Sequence, residues 1–318
     1  MRAAVAERYG PPEVVRIVEM PMPAPRRREV LVRVRSVAVT VADARVRGSR
    51  YPRGFTPFAR AAFGILRPRR PVLGMAFSGT IEAVGSEVQG FSVGDAVAGM
   101  TGFGMGAHAE YVAVAATKVV PKPAGVSHDE AAAVLFGGST ALAYLRDKAA
   151  VQPGATVLVN GASGAVGSAA VQLAKHLGAT VTAVTSTANV ELVRKLGADE
   201  VVDYTATPAA ELTTKYDVVM DAVGNIGLAA GRRLLTEHGV LLLVVADFWD
   251  LLRARGNAKA GTPPERAEDF AELLGLVADG HLTAVIDDAV AEDGLEALVA
   301  AHARVDSGRK VGDLVIHP

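Results

Sequence analysis

The stretch that decides the fold is TVLVNGASGAVGSAAVQLAKHLGATVTAVTS, residues 156–186. Its opening apolar run, Thr156, Val157, Leu158 and Val159, has the length of a buried strand, and it breaks into three glycines at intervals of three, Gly161, Gly164 and Gly167. Beyond them Ala165, Ala169, Leu173 and Leu177 recur every four residues and Gly178 supplies a stop, so the spacing predicts a helix. A second strand is predicted over 180–184. Strand, glycine turn, helix and return strand make a βαβ unit in which the N–H groups at the helix start face outward, a natural seat for a pyrophosphate. Gly161 permits the tight turn, Gly164 lets backbone approach the phosphates, and Gly167 lets the helix lie close on the sheet. Gly161, Ser163, Gly164, Ala165, Val166 and Gly167 are therefore candidate dinucleotide contacts. An ordinary strand-to-helix turn could carry the same glycines, but both flanking elements that the motif requires are present.

A chain of 318 residues exceeds what one core usually takes, so two domains are expected. A hydrophobic fraction of 50% with a net charge of −1 describes a soluble globular protein and gives no basic or acidic tail for nucleic acid. The longest apolar run, 240–246, is too short to span a bilayer, and the N-terminus meets Pro11-Pro12 without the apolar core of a signal peptide. A cytoplasmic protein without membrane partners is the expectation. There is no cysteine, which excludes disulfides, cysteine nucleophiles and thiolate zinc sites. The seven histidines show no paired spacing on one helix face, so no metal site is expected.

The first third reads as β-rich without helical periodicity, with strands over 2–18, 29–41, 79–84 and 96–98. Residues 45–70 differ: eight arginines and no acid, either a solvated face or a flexible lip that attracts an anionic ligand. After Pro121-Lys122-Pro123 helix and strand alternate, so the boundary is placed there. A capping box at Ser127 and Glu130 opens that half, which reads as a parallel sheet with helices on both faces through 262. The tail, 263–318, is expected to return to the first domain.

Motifs in order along nearly the whole chain resemble the zinc-independent, quinone-oxidoreductase-like branch of the medium-chain dehydrogenase/reductase superfamily. They are VLGMAFSG at 72–79, VGDAV at 93–97, GAHAEY at 106–111, the glycine turn at 160–167, LGAD at 196–199, Asp203-Tyr204, DAVG at 221–224 and SGRKVG at 307–312. Only 50–70 and 248–264 stand outside the pattern. The resemblance implies an α/β protein: a Rossmann doubly wound parallel sheet over 122–262, and a β-rich GroES-like catalytic domain over 1–121 completed by 263–318, with the cofactor between them. It also implies a homodimer joined through an edge strand that 240–245 would supply. Thr40 stands where the branch usually has asparagine, and Ala76 where it has aspartate; both changes remove polar reach from the expected substrate region.

By the same resemblance Thr140, Val223 and Val245 lie beside the nicotinamide half, Tyr204 flanks the adenine, and Arg309 and Lys310 reach in from the tail. The second strand ends without the acid that binds a ribose diol in NAD-preferring sites, and the hydroxyls of Ser186 and Thr187 can donate to a phosphate, which favours NADPH. The implied chemistry is metal-independent hydride transfer to a small-molecule acceptor, a quinone or α,β-unsaturated carbonyl, with Thr40 and Tyr51 as the candidate proton donors. Two alternatives are an enoyl reductase acting on a larger thioester or polyketide, and a non-catalytic, crystallin-like nucleotide-binding protein.

Overall fold

The computed structural model describes residues 1–290 and 293–318. The N-terminal part is antiparallel. Strands β1 (Arg2–Ala6) and β2 (Val15–Glu19) form a hairpin rather than the single strand expected over 2–18. The reversal runs through Gly10, Pro11 and Pro12, where prolines cannot donate to a ladder. β3 (Glu29–Val39) is the spine of the main antiparallel sheet, pairing with both β4 (Ala76–Val84) and β6 (Tyr111–Ala115), while β5 (Ala96–Met100) lies between β4 and β7 (Val119–Pro121).

Two helices interrupt this β-rich third, contrary to the expectation of none. Helix α1 (Val41–Gly48) starts at a capping box in which Thr40 and Asp43 satisfy each other's backbone N–H groups. Helix α2 (Thr56–Phe63) has proline in its first turn and stops at Gly64, whose φ is 127°. No residue of α2 is fully buried, and its apolar residues Phe58, Ala59 and Phe63 span only about two turns, too short a window for periodicity to reveal.

The second half opens with α3 (His128–Leu142), capped by Ser127 and Glu130 as the spacing predicts. There follow β8 (Thr156–Asn160), α4 (Ala165–His176), β9 (Thr180–Thr185), α5 (Val190–Lys195), β10 (Glu200–Asp203), β11 (Tyr216–Asp221), α6 (Gly227–Arg233), β12 (Leu235–Leu243), α7 (Phe248–Arg253) and β13 (Ala258–Lys259). They build a six-stranded parallel sheet of order β10-β9-β8-β11-β12-β13. Val157 and Val159 point into the core shared with α3 and α4, while Leu158 enters a separate core on the opposite face. A sheet covered on both faces explains why these strands are continuous apolar runs. β12 is paired on both sides, so 240–245 is not an edge; among the described residues the edge on that side is β13.

The tail supplies α8 (Ala267–Ala278), α9 (Leu298–Asp306) and β14 (Leu314–Ile316). β14 pairs antiparallel with β3, and Leu298, Ala301, Leu314 and Ile316 fill the core of the antiparallel sheet. Both chain ends thus build one half, as expected, and an isolated bridge between Gly164 and Gly312 sets the tail beside the glycine turn.

Candidate active site

The three glycines of the turn have three different structural reasons. Gly161 has φ 82°, a left-handed conformation that any side chain would strain. At Gly167 an added Cβ would lie 2.0 Å from the Gly161 carbonyl oxygen, so the start of α4 touches the turn backbone. Gly164 is neither: its φ of −81° suits any residue, and an added Cβ would meet only the Gly161 oxygen at 3.6 Å. The space beside Gly164 is open. The first hydrogen bond of α4 runs from the Ser168 N–H to the Gly164 carbonyl at 2.8 Å, so the helix does not use the N–H groups of Ala165 and Val166 at its open end. This cradle fits the pyrophosphate of a dinucleotide. Gly137 matters too: a Cβ there would lie 2.4 Å from the Ala165 carbonyl oxygen, and that close approach brings α3, with Thr140, against the turn.

Asn160 and Asp221, at the ends of β8 and β11, hold the turn from behind. Asp221 is fully buried and accepts from the Asn160 side chain at 2.9 Å and from the N–H groups of Val223, Gly224 and Ile226 at 3.0, 2.9 and 3.0 Å. A carboxylate with this many donors is satisfied in place. Asn160 was legible only as part of the turn motif; its pairing with a residue 61 positions on has no local signal.

At the far end of the turn Ser186 is half-buried, accepting from Asn189 at 3.2 Å, and Tyr204 is exposed. Ser163 accepts from Thr185 and Asn189 at 3.0 and 3.1 Å. The Thr187 hydroxyl is already donated to Asp203 at 2.5 Å. An acid therefore does stand at this end, delivered by β10 rather than by β9. The Thr187 and Thr205 hydroxyls, with the Thr205 N–H, hold the Asp203 carboxyl below the usual carboxylate range. Of the two tail cations, Arg309 is exposed, whereas Lys310 is half-buried, donates to the Gly312 carbonyl and lies 3.9 Å from Asp313. Its amine is turned into its own loop.

From the turn a cleft of about 520 Å³ opens between the two halves, within the roughly 300–1,000 Å³ usual for small-molecule sites. One wall is made by Thr140, Val166, Ala222 and Val245. The other is aromatic and sulfur-rich: Tyr51, Phe55, Phe63, Phe103, Met75 and Met105. Phe248 in α7 stacks on Phe58 at 5.3 Å and meets Phe55 edge-on at 5.7 Å, so the two segments outside the family pattern join at the mouth of this cleft. Tyr51 lies flat against Phe63, and its buried hydroxyl has no partner among the described residues. Burial, reinforced by Tyr9, pushes that phenol up to about 12 against a smaller opposing effect of Arg60, so it stays protonated and able to donate.

Thr40 does not face the cleft. It is buried, its hydroxyl is donated to Asp43 at 2.6 Å, and the other Asp43 oxygen accepts from the Gly74 N–H at 3.0 Å. Ala76 is likewise buried, as the first residue of β4. The expected proton-donor role of Thr40 gives way to a capping one, because its side chain is consumed by the start of α1. Thr40→Val should cost about 1–2 kcal/mol of unfolding free energy in urea titration. Unchanged stability with lost turnover would return Thr40 to the chemistry.

A nucleotide cradle on a parallel sheet, an antiparallel partner built from both chain ends and an apolar cleft between them define a two-domain, dinucleotide-dependent oxidoreductase. Residues 26–124 match the alcohol dehydrogenase GroES-like domain and residues 196–316 the zinc-binding dehydrogenase domain. A quinone oxidoreductase of Pseudomonas aeruginosa is 33% identical over 98% of this chain and 97% of its own length. The 2-methylene-furan-3-one reductase of Solanum lycopersicum is 31% identical over 98% of this chain and 77% of its own. A mycobacterial protein, Rv1454c, solved in complex with NADPH, superposes over the whole of both chains with a TM-score of 0.80 at 29% identity. The chain belongs to the medium-chain dehydrogenase/reductase superfamily, in its quinone-oxidoreductase-like branch. A zinc site does not fit the residues present: the chain has no cysteine, and among the described residues no three His, Asp or Glu side chains converge.

Proposed function

We propose that this protein is an NADPH-preferring reductase of quinones and α,β-unsaturated carbonyl compounds that works without a metal. The observation that carries the reading is a single cleft with the nucleotide cradle on one wall and an apolar aromatic surface on the other. Bound there, a reduced nicotinamide supplies the hydride. The chain's own part is positional. Ala165 and Val166 N–H groups hold phosphate, Thr140 and Val245 line the wall beside the cradle, and the aromatic wall holds a flat acceptor and excludes water. Tyr51 keeps a proton at its hydroxyl oxygen within the cleft, yet the product anion of a quinone or enone is stabilised by its own conjugation. Proton delivery therefore matters less than the 10² to 10⁴-fold typical of general acid catalysis. The test is acceptor-dependent NADPH oxidation across a panel of quinones and enones; a protein that binds NADPH but reduces none of them would be a binding protein.

The cofactor preference rests on Ser186 alone, because Thr187 is engaged by Asp203. One hydroxyl donor to a phosphate favours NADPH over NADH by about 3 to 10-fold. Calorimetry should show that ratio and its reversal in Ser186→Asp, whereas equal dissociation constants in the parent protein would remove Ser186 from the site. A homodimer joined through this sheet would pair along β13.

A further inference from the structure

Helix α1 carries two arginines with opposite fates. Arg47 is fully buried, and its guanidinium is bonded to Asp306 at 2.5 Å and to the Gly10 carbonyl at 2.8 Å. Arg45, two residues earlier, turns with Val41 and Ala42 to the cleft wall. Its guanidinium forms no hydrogen bond or ion pair among the described residues, and burial pushes it below the ordinary guanidinium range with no carboxylate to offset the effect. A partly desolvated cation without a partner is costly, and folded chains rarely leave one so unless a ligand completes it.

The other buried and half-buried polar groups of the lining are spoken for. Glu265 is paired with Lys118 at 3.5 Å, the Tyr144 hydroxyl is donated to the Leu243 and Gly261 carbonyls at 3.2 and 2.7 Å, and the Thr140 hydroxyl to the Phe136 carbonyl at 2.9 Å. Among the described residues, Arg45 and Tyr51 remain as the half-buried polar side chains of the lining without a partner. The cofactor's phosphates have their cradle at α4, in the other half of the molecule, whereas Arg45 shares the acceptor's wall with Phe55 and Phe63.

We propose that Arg45 anchors an anionic group on the acceptor, so that the preferred substrates are conjugated ketones or quinones carrying a carboxylate on an apolar body. This rests on the reading of the cleft as the acceptor site. The planar guanidinium takes a carboxylate through paired, charge-assisted hydrogen bonds, and the low-polarity aromatic wall strengthens them. A neutral acceptor of the same shape leaves the cation unpaired, which sets the direction of the specificity.

The test uses β-benzoylacrylate and its methyl ester as acceptors, and the corresponding saturated acid and ester as ligands in calorimetry. The saturated acid should bind about 10 to 100-fold more tightly than its ester at neutral pH. Arg45→Gln should bring that ratio to within about twofold, and Arg45→Lys should keep part of it. Equal affinities in the parent protein would overturn the proposal, as would a ratio that survives Arg45→Gln, or a variant that loses NADPH affinity with the ratio intact. Turnover with the ester and with menadione reports separately on the reductase reading: turnover without an acid preference overturns the anchor alone, and an acid preference in binding without any turnover overturns the reductase and leaves the anchor standing.

Discussion

Gly164→Val is expected to abolish dinucleotide binding and leave the protein folded. The backbone at Gly164 is extended, with φ −81° and ψ 173°, and nothing lies closer to an added Cβ than the Gly161 oxygen at 3.6 Å. The fold therefore accepts a branched residue there, losing about 1 kcal/mol, the difference between glycine and valine at a helix N-cap. The ligand does not. The side chain would fill the open space at the start of α4 through which phosphate reaches the Ala165 and Val166 N–H groups. Losing both charge-assisted hydrogen bonds weakens NADPH by about 100-fold or more. Calorimetry of the variant with a far-ultraviolet spectrum and melting temperature close to the parent's would establish both halves of the result; unimpaired binding would move the phosphate site elsewhere.

Gly167→Ala is expected to do the reverse and damage the fold itself. Its Cβ would stand 2.0 Å from the Gly161 oxygen and 2.8 Å from Cα of Ala162, both backbone atoms that no rotamer change can move. Relief requires α4 to retreat from β8, opening a core that holds Val157, Val159, Ala170 and Leu173. The cost is about 3 kcal/mol or more, at the upper end of overpacking effects. Urea denaturation reads it directly, and a variant as stable as the parent would show that the helix does not sit as tightly on the turn as these distances require.

The same three glycines show what a sequence can disclose. The turn at Gly161 and the helix contact at Gly167 were legible because each is local, set within seven residues. The parallel sheet was legible for a related reason, since strands buried on both faces are continuous apolar runs. Helix α2 was hidden because its eight residues are too short a window for helical periodicity. The capping box of Thr40 with Asp43 is written in the sequence at the usual spacing, and it consumes the hydroxyl that a proton-donor role would need. Asp203 was not legible as a neighbour of Thr187 because it arrives on β10, and strand order is a tertiary fact. Arg45 could not be told from the seven other arginines of 45–70, because what separates it from Arg47 is Asp306, reached from the far end of the chain. The edge position assigned to 240–245 failed over β13, two residues long and too short for any pattern.

This cleft is expected to deliver hydride to the β-carbon of a conjugated acceptor rather than to its carbonyl carbon, and without a metal. Benzalacetone offers both positions in one molecule. The parent protein, dialysed against EDTA and incubated with NADPH and benzalacetone, should yield the saturated ketone benzylacetone, one molecule for each NADPH consumed and one proton taken up. Formation of the allylic alcohol, or activity that disappears with the chelator, would contradict the account.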